Sequence, residues 1–199
     1  MMPEVDIVHR SFALVRSEAD FIRMFGSRAT AKNEIIHHWV HANRNDDLHR
    51  FNIDGMLATD FPFPSSMPGL LACKAAYTVA GSAGYWDVFD ALQTALFVNN
   101  RNLELPEVIA TAVKTTGIDF AQWQQQLPLT QTLADVEEDF RFAAYYGLHS
   151  VPCLVINGQH RVDGARSLPQ IVRAITDAAP ADSNSGAMCR LKDGQMHCD

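Results

Sequence analysis

The alternation of apolar and polar residues predicts strands near both ends of the chain. The segment Val5–Leu14 is rich in β-branched and other apolar residues and predicts a first strand. Much later, an apolar run at 152–156 is followed by Asn157-Gly158 and a short return run at 160–163. An Asn-Gly pair between two such runs predicts a β-hairpin.

Between these regions, apolar residues recur mostly at the spacing of amphipathic helices. Thr132 and Ser167 each begin a capping-box pattern, so each is predicted to be the N-cap of a helix. The predicted helices cover 32–44, 69–80, 85–99, 106–117, 120–127, 132–147 and the residues after Ser167. This order indicates an α/β protein in which strands distant in sequence pair, with the helical middle as an inserted subdomain.

Composition narrows the class of protein. Of the 199 residues, 47% are hydrophobic and 20% are charged, which is ordinary for a globular domain. No apolar run approaches the roughly 18 residues of a membrane helix, and the N-terminus lacks the pattern of a signal peptide. We therefore expect no membrane partner and a cytoplasmic location. The net charge is −7 and the cations are scattered, which argues against binding to nucleic acid.

The chain has four cysteines and no CxxC motif. Cys73 and Cys153 lie in apolar segments, where an inert buried thiol is expected. Cys189 and Cys198 lie in a polar tail, expected to be loosely ordered, where burial does not explain them. Three alternatives stay open for that pair: a redox-active or disulfide pair, two exposed thiols without a role, or metal ligands together with His197.

Two other clusters of polar residues are predicted to have no metal-binding or catalytic role. His37 and His41 lie one helical turn apart, as metal ligands can, but no third ligand is evident. The acidic residues at 135–139, which include Asp139, are expected to form a solvated cluster favoured by a helix N-terminus. We predict neither a metal site nor a cofactor.

Three segments resemble the DsbA family of the thioredoxin superfamily, and its FrnE-like members in particular. They are residues 70–76 with 90–97, residues 147–158, and residues 162–166. The resemblance implies a thioredoxin-like fold with an inserted helical subdomain. The thioredoxin-like part is then residues 1–30 and 148–180, the insertion and connecting helix are 31–147, and 181–199 form a cysteine-containing tail.

The resemblance also implies a function and a site. The family's first strand and CxxC helix are absent here, because the resemblance begins at the family's second strand, Val5–Leu14. It implies a cis bond between Val151 and Pro152, where an extended dithiol or disulfide peptide, or a small thiol, binds. FrnE-like proteins often end with a second cysteine pair, so Cys189 and Cys198 are the candidate catalytic residues. The implied activity is that of a thiol-disulfide oxidoreductase or isomerase without its usual centre.

Two alternatives and one assembly state accompany this hypothesis. The protein could be a non-catalytic module that binds peptides or thiols, or a glutathione-dependent enzyme similar to the kappa-class transferases and chromene-carboxylate isomerases. A homodimer is expected as well, because an unpaired edge at Val5–Leu14 offers a template for strand pairing.

Overall fold

The structure is a computed structural model that describes residues 5–178, 189–192 and 195–198. The chain divides into two units. The helical unit is Ala13–Val136, and the terminal unit combines Met1–Phe12 with Glu137–Asp199. The boundaries that the sequence suggested, after residues 30 and 147, differ from these.

The helical unit consists of helices joined by short loops. Its elements are α1 (Glu18–Phe25), α2 (Arg28–Arg44), α3 (Ile53–Leu57), α4 (Met67–Gln93), a π-helix (Thr94–Val98), α5 (Pro106–Lys114), α6 (Phe120–Gln126) and the start of α7 (Thr130–Tyr145). The helices predicted from the apolar spacing are confirmed, with ends shifted by a few residues. α1 was not predicted, although Ser17 and Asp20 have the spacing of a capping box. In the structure, the Asp20 carboxylate accepts from the Ser17 amide at 3.1 Å.

α4 contains the interruption that its glycines predict. Ala80 and Gly81 leave helical geometry, and Gly81 has φ 62° and ψ −154°, a backbone region that glycine alone enters easily. The helix then resumes to Gln93 and continues into the π-helix. The two predicted helices at 69–80 and 85–99 are therefore present as two helical stretches separated by this kink, and the second continues into the π-helix.

Aromatic and aliphatic side chains from these helices form the larger core. Trp39, Phe51 and Phe97 meet with ring centroids 4.9–5.6 Å apart. Trp123 is fully buried and donates its indole N–H to the Ala72 carbonyl at 3.0 Å. A buried indole needs such a partner, so this bond fixes α6 against α4.

The terminal unit contains the predicted hairpin and the closing helix. Its elements are the rest of α7, then β1 (Cys153–Ile156), β2 (His160–Asp163), α8 (Leu168–Ala178), β3 (Cys189–Lys192) and β4 (Gln195–Cys198). β1 pairs antiparallel with β2, and β3 with β4. Asn157 and Gly158 have φ 51° and 66°, as a type I′ turn requires, so the predicted hairpin is confirmed.

The prediction of a strand at Val5–Leu14 is wrong. The described part of this segment, like residues 15 and 16, is neither helix nor strand, and every described strand pairs with its neighbour in sequence. A β-strand needs a neighbouring strand to satisfy its backbone hydrogen bonds, and none of the described strands pairs with this segment. The expected pairing of strands distant in sequence is therefore also wrong for the described residues.

The segment is held instead by a carboxylate on α7. Asp139 accepts from the Ser11 amide at 2.6 Å and from the Arg10 guanidinium at 3.0 Å, and its side chain is fully buried. The prediction that Asp139 belongs to a solvated acidic cluster is therefore wrong. Its burial is tolerated because the charge is paired and hydrogen-bonded.

The two predicted N-caps, Thr132 and Ser167, have different outcomes in the structure, and the tail contains a hairpin that was not predicted. α7 begins at Thr130, so Thr132 lies inside its first turn and is not the N-cap. Its hydroxyl donates to the Gln126 carbonyl at 2.7 Å. At the other predicted cap, Ser167 directly precedes α8, and the Gln170 side chain accepts from the Ser167 amide at 3.0 Å, which is one half of the predicted capping box. The β3–β4 hairpin was not predicted, since its residues lie in a polar, low-signal tail.

Candidate functional site

The chain between α7 and β1 makes a sharp corner at Pro152. The Val151–Pro152 peptide bond is cis, as the sequence predicted. Both residues are exposed, and Val151 retains 49% of its accessible surface. Val151, Pro152, Cys153, Asp163 and Gly164 are called the proline corner below.

The return strand of the hairpin closes the corner. In the β1–β2 register, Cys153 lies opposite Asp163. Immediately beyond this pair, the Gly164 amide donates to the Pro152 carbonyl at 2.9 Å. The corner is thus attached to a hairpin and is not the tip of a free loop.

Arg161 attaches the corner to the end of α7. One terminal nitrogen of its guanidinium donates to the Tyr146 and Gly147 carbonyls at 3.0 and 3.2 Å. Its Nε donates to the Asp163 carboxylate at 2.9 Å. A guanidinium can make these bonds simultaneously because its donors are arranged in a rigid fork.

Cys153 is a poor nucleophile in this setting. Partial burial raises the pKa of its thiol, and the carboxylate of Asp163 raises it further, against a smaller opposing effect of Arg161. The Cys153 thiol lies 3.4 Å from Asp163 Oδ1, in position to donate to it. Thiolate is the reactive form of cysteine, so a raised pKa makes Cys153 less reactive at neutral pH.

Cys73 is excluded from chemistry more strongly. It is buried on α4, and desolvation raises the pKa of its thiol to about 12. The prediction that Cys73 serves helix packing is confirmed by this burial. Cys153, expected to be buried, is only half-buried.

The structure brings the two tail cysteines together. Cys189 begins β3, Cys198 ends β4, and the two residues are direct partners in the antiparallel register. Directly opposed residues in such a ladder have Cα atoms about 4.5–5.5 Å apart. That separation lies within the roughly 4.4–6.8 Å that a disulfide spans. By contrast, Cys153 is paired in its own hairpin with Asp163.

The remaining candidates form no site in the described structure. The rings of His37 and His41 meet edge to face with centroids 5.3 Å apart. Among residues 5–178 and the described parts of the tail, no group of three or more potential metal ligands occurs. His197 lies opposite Arg190 in the register of the tail hairpin.

A shallow groove lies elsewhere, in the helical unit. Its volume is about 550 Å³, and none of the site residues predicted from the sequence lines it. It runs along α4, the π-helix and α5, lined chiefly by Asp90, Ala91, Thr94, Arg101, Glu107 and Thr111.

Arg161 and Asp163 were not predicted from the sequence as parts of the corner. Alternate residues on a strand share one face, so the Arg-x-Asp pattern on the predicted return strand was a readable signal for a pair. The hydrogen bonds from Arg161 to the end of α7 could not be predicted from the sequence, because they depend on the three-dimensional path of the chain between α7 and β2.

Comparison with known proteins assigns this architecture to a class. In this architecture, α7 leads through Pro152 into the β1–β2 hairpin and α8, and a helical unit precedes them in the chain. The family model described as thioredoxin matches residues 26–171, well over half of the chain. The chain belongs to this thioredoxin family.

A solved structure supports the same fold. A protein from Nitrosomonas europaea, proposed to be a disulfide isomerase, has a crystal structure that matches with a TM-score of 0.63 and 18% sequence identity. The match covers 73% of this chain and 72% of that one. None of the curated proteins compared with the chain matches it. The predicted α/β class, thioredoxin-like with a helical insertion, is confirmed, as is the resemblance to the thioredoxin superfamily.

Within the described ranges, no helix is both long and apolar enough to cross a membrane.

Proposed function

We propose that the protein is a thiol-disulfide oxidoreductase or isomerase of the FrnE-like type, with Cys189 and Cys198 as its redox pair. The observation that carries the proposal is the direct pairing of these cysteines across the tail hairpin. Neither Cys73 nor Cys153 is a competing nucleophile, since the pKa of each thiol is raised. The substrate class is a dithiol or disulfide peptide, or a small thiol.

The proposed chemistry is an ordinary disulfide exchange. A substrate thiolate attacks the Cys189–Cys198 disulfide and forms a mixed disulfide with one sulfur, while the other leaves as a thiolate. The second substrate thiol, as thiolate, then displaces the protein sulfur. The substrate gains a disulfide, and the protein's pair gains two electrons and two protons. Reduction of a substrate disulfide follows the same steps in reverse.

The proline corner is the proposed docking place for an extended peptide. The Val151 amide and carbonyl form no backbone hydrogen bond with any described residue. They are therefore available to pair with a peptide by strand addition, with the exposed Val151 side chain beside it.

Reduction of insulin by dithiothreitol, followed as turbidity, tests the redox pair. The wild-type chain should accelerate the reaction, and the double variant Cys189→Ser with Cys198→Ser should return it to the uncatalysed rate. Cys153→Ser is the control and should keep most of the activity, because its thiol is held protonated. Robust turnover in the double variant would contradict the assignment.

A second candidate function is a binding module without redox chemistry. The exposed corner and the protonated Cys153 favour it, since both persist without a reactive thiol. It predicts binding of an extended peptide with no turnover.

Binding at the corner is tested with Pro152→Ala. The substitution frees φ at residue 152 and adds an N–H beside the docking edge, so a labelled, carboxymethylated insulin B chain should bind several-fold more weakly. Fluorescence anisotropy measures the dissociation constant. The matched control is Pro169→Ala in the first turn of α8, which should leave binding unchanged. Equal affinities of the Pro152→Ala variant and the wild type would count against the docking site.

Other finer assignments are kept as proposals. The glutathione-dependent alternative is tested by retention on glutathione resin. A homodimer is tested by light scattering at high concentration, with the outer edge of β1 now the candidate contact in place of Val5–Leu14. The insertion spanning 31–147, the tail 181–199 and the cytoplasmic location also stay predictions.

A further inference from the structure

We propose that Arg161 is a positioning residue for peptide docking, because it fixes the loop that presents Val151. This inference rests on the proposed function of the proline corner. Its basis is the set of three hydrogen bonds by which Arg161 joins the end of α7 to β2.

The bonds reach both sides of the loop 147–152. On the helix side, Arg161 binds the Tyr146 and Gly147 carbonyls, which follow the last turn of α7 and lack helical partners. A cation at this end also interacts favourably with the helix dipole. On the strand side, Arg161 binds Asp163, next to the Gly164 amide that holds the Pro152 carbonyl.

These hydrogen bonds fix both ends of the loop that contains Val151. The Leu148 amide is bonded to the Ala143 carbonyl at 2.9 Å, which ends α7 in a tight turn. From there the chain has only three residues before Pro152, whose carbonyl is held from β2. A preorganised edge binds an extended peptide more tightly, because less conformational freedom is lost on binding.

The role is local and does not amount to general stabilisation. The side chains of Arg161 and Asp163 are 43% and 48% exposed, and exposed ion pairs add little to global stability. The same unit contains a matched exposed pair, Arg173 with Asp177 at 3.5 Å on α8. Removing Arg173 changes the charge equally but touches no part of the loop.

The experiment compares Arg161→Gln, Arg161→Lys and Arg173→Gln in the full chain. The probe is fluorescein-labelled insulin B chain with carboxymethylated cysteines, measured by anisotropy. We expect Arg161→Gln to bind roughly tenfold more weakly, the loss typical of removing a charged hydrogen-bond anchor. Arg161→Lys should recover part of the affinity, since an ammonium reaches one side of the loop and not both. Arg173→Gln should match the wild type.

Amide hydrogen exchange supplies a readout that needs no ligand. Arg161→Gln should exchange faster at Leu148 and Gly164, while the thermal unfolding midpoint stays close to that of Arg173→Gln. Unchanged exchange at both amides, or unchanged affinity for the probe, would overturn the inference. If the wild type fails to bind the probe, the docking function is wrong, and faster exchange in Arg161→Gln alone would then still support the anchoring of the loop.

Discussion

The Cys153 thiol faces the carboxylate of Asp163, and Asp163 in turn is held by Arg161. The environment of this cysteine therefore depends on an anion fixed 3.4 Å away. Burial is the larger cause of its raised pKa, and Asp163 adds to it. A cysteine next to a cis-proline is not reactive by position alone, because the reactive species is the thiolate.

Replacement of Asp163 by Asn should make Cys153 react faster with iodoacetamide. The carboxylate favours the protonated thiol, so its removal lowers the pKa of Cys153 and raises the thiolate fraction at pH 8, about tenfold for each unit of pKa. Alkylation rates at single cysteines, read by peptide mass mapping between pH 7 and 10, measure the change.

The raised pKa of Cys153 also makes the stability of the protein depend on pH. Cys73 is the control for the alkylation experiment. Because the pKa of Cys153 is higher in the folded state than in the unfolded state, its protonated thiol contributes to stability at neutral pH. This contribution is lost as the pH rises through the pKa of the folded state. Cys73 should remain slow to alkylate in both proteins, since desolvation and not Asp163 raises its pKa. An unchanged Cys153 rate in Asp163→Asn would show that burial alone sets its pKa.

At the scale of helices and strands, the elements with local causes were predictable from the sequence. The hairpin follows from Asn157-Gly158, which accepts the positive φ angles of a type I′ turn. The start of the closing helix follows from Ser167 and Gln170, since the Gln170 side chain accepts from the Ser167 amide, as it does in a capping box. Neither element needs a distant part of the chain to specify it.

Elements that depend on distant partners were not predictable from the sequence. The apolar pattern of Val5–Leu14 suits a strand, but its amide at Ser11 is bonded to Asp139, 128 positions away. An apolar pattern of this kind indicates that one face of the segment can be buried. It does not identify the strand with which the segment would pair. The same limit explains Asp139, which looked solvated because its paired cation, Arg10, lies 129 positions away in the sequence.

For the candidate site, residue identity was more predictable than contacts. Val151 and Pro152 were predicted through the resemblance, and their cis bond is present. Cys189 and Cys198 were named as a pair, but their opposition in a hairpin was not foreseen, because a tail rich in polar residues carries little strand signal. Arg161 was missed because two of its three acceptors, the Tyr146 and Gly147 carbonyls, come from another segment of the chain.

At the scale of the whole molecule, the two units have separate sources of stability. The helical unit contains the aromatic core around Trp39 and Trp123. In the terminal unit, Asp139 joins α7 to Arg10 and Ser11, and α8 has no fully buried residue. A buried ion pair therefore matters more in the terminal unit than a similar pair would beside a large apolar core.

Replacement of Asp139 by Asn should destabilise the terminal unit by roughly 2 kcal/mol, because the Ser11 amide and the partly exposed Arg10 side chain lose a charged acceptor. All three tryptophans, Trp39, Trp86 and Trp123, belong to the helical unit. Tryptophan fluorescence during urea unfolding therefore reports that unit, while hydrogen exchange at the Ser11 amide and along α8 reports the other.

We expect faster exchange in the terminal unit and a nearly unchanged fluorescence midpoint. Asp177→Asn is the control, since its exposed pair with Arg173 contributes little and should alter neither measurement. If the fluorescence midpoint of Asp139→Asn falls as far as the protection of α8, the chain unfolds as one cooperative body, and stability is shared by the two units.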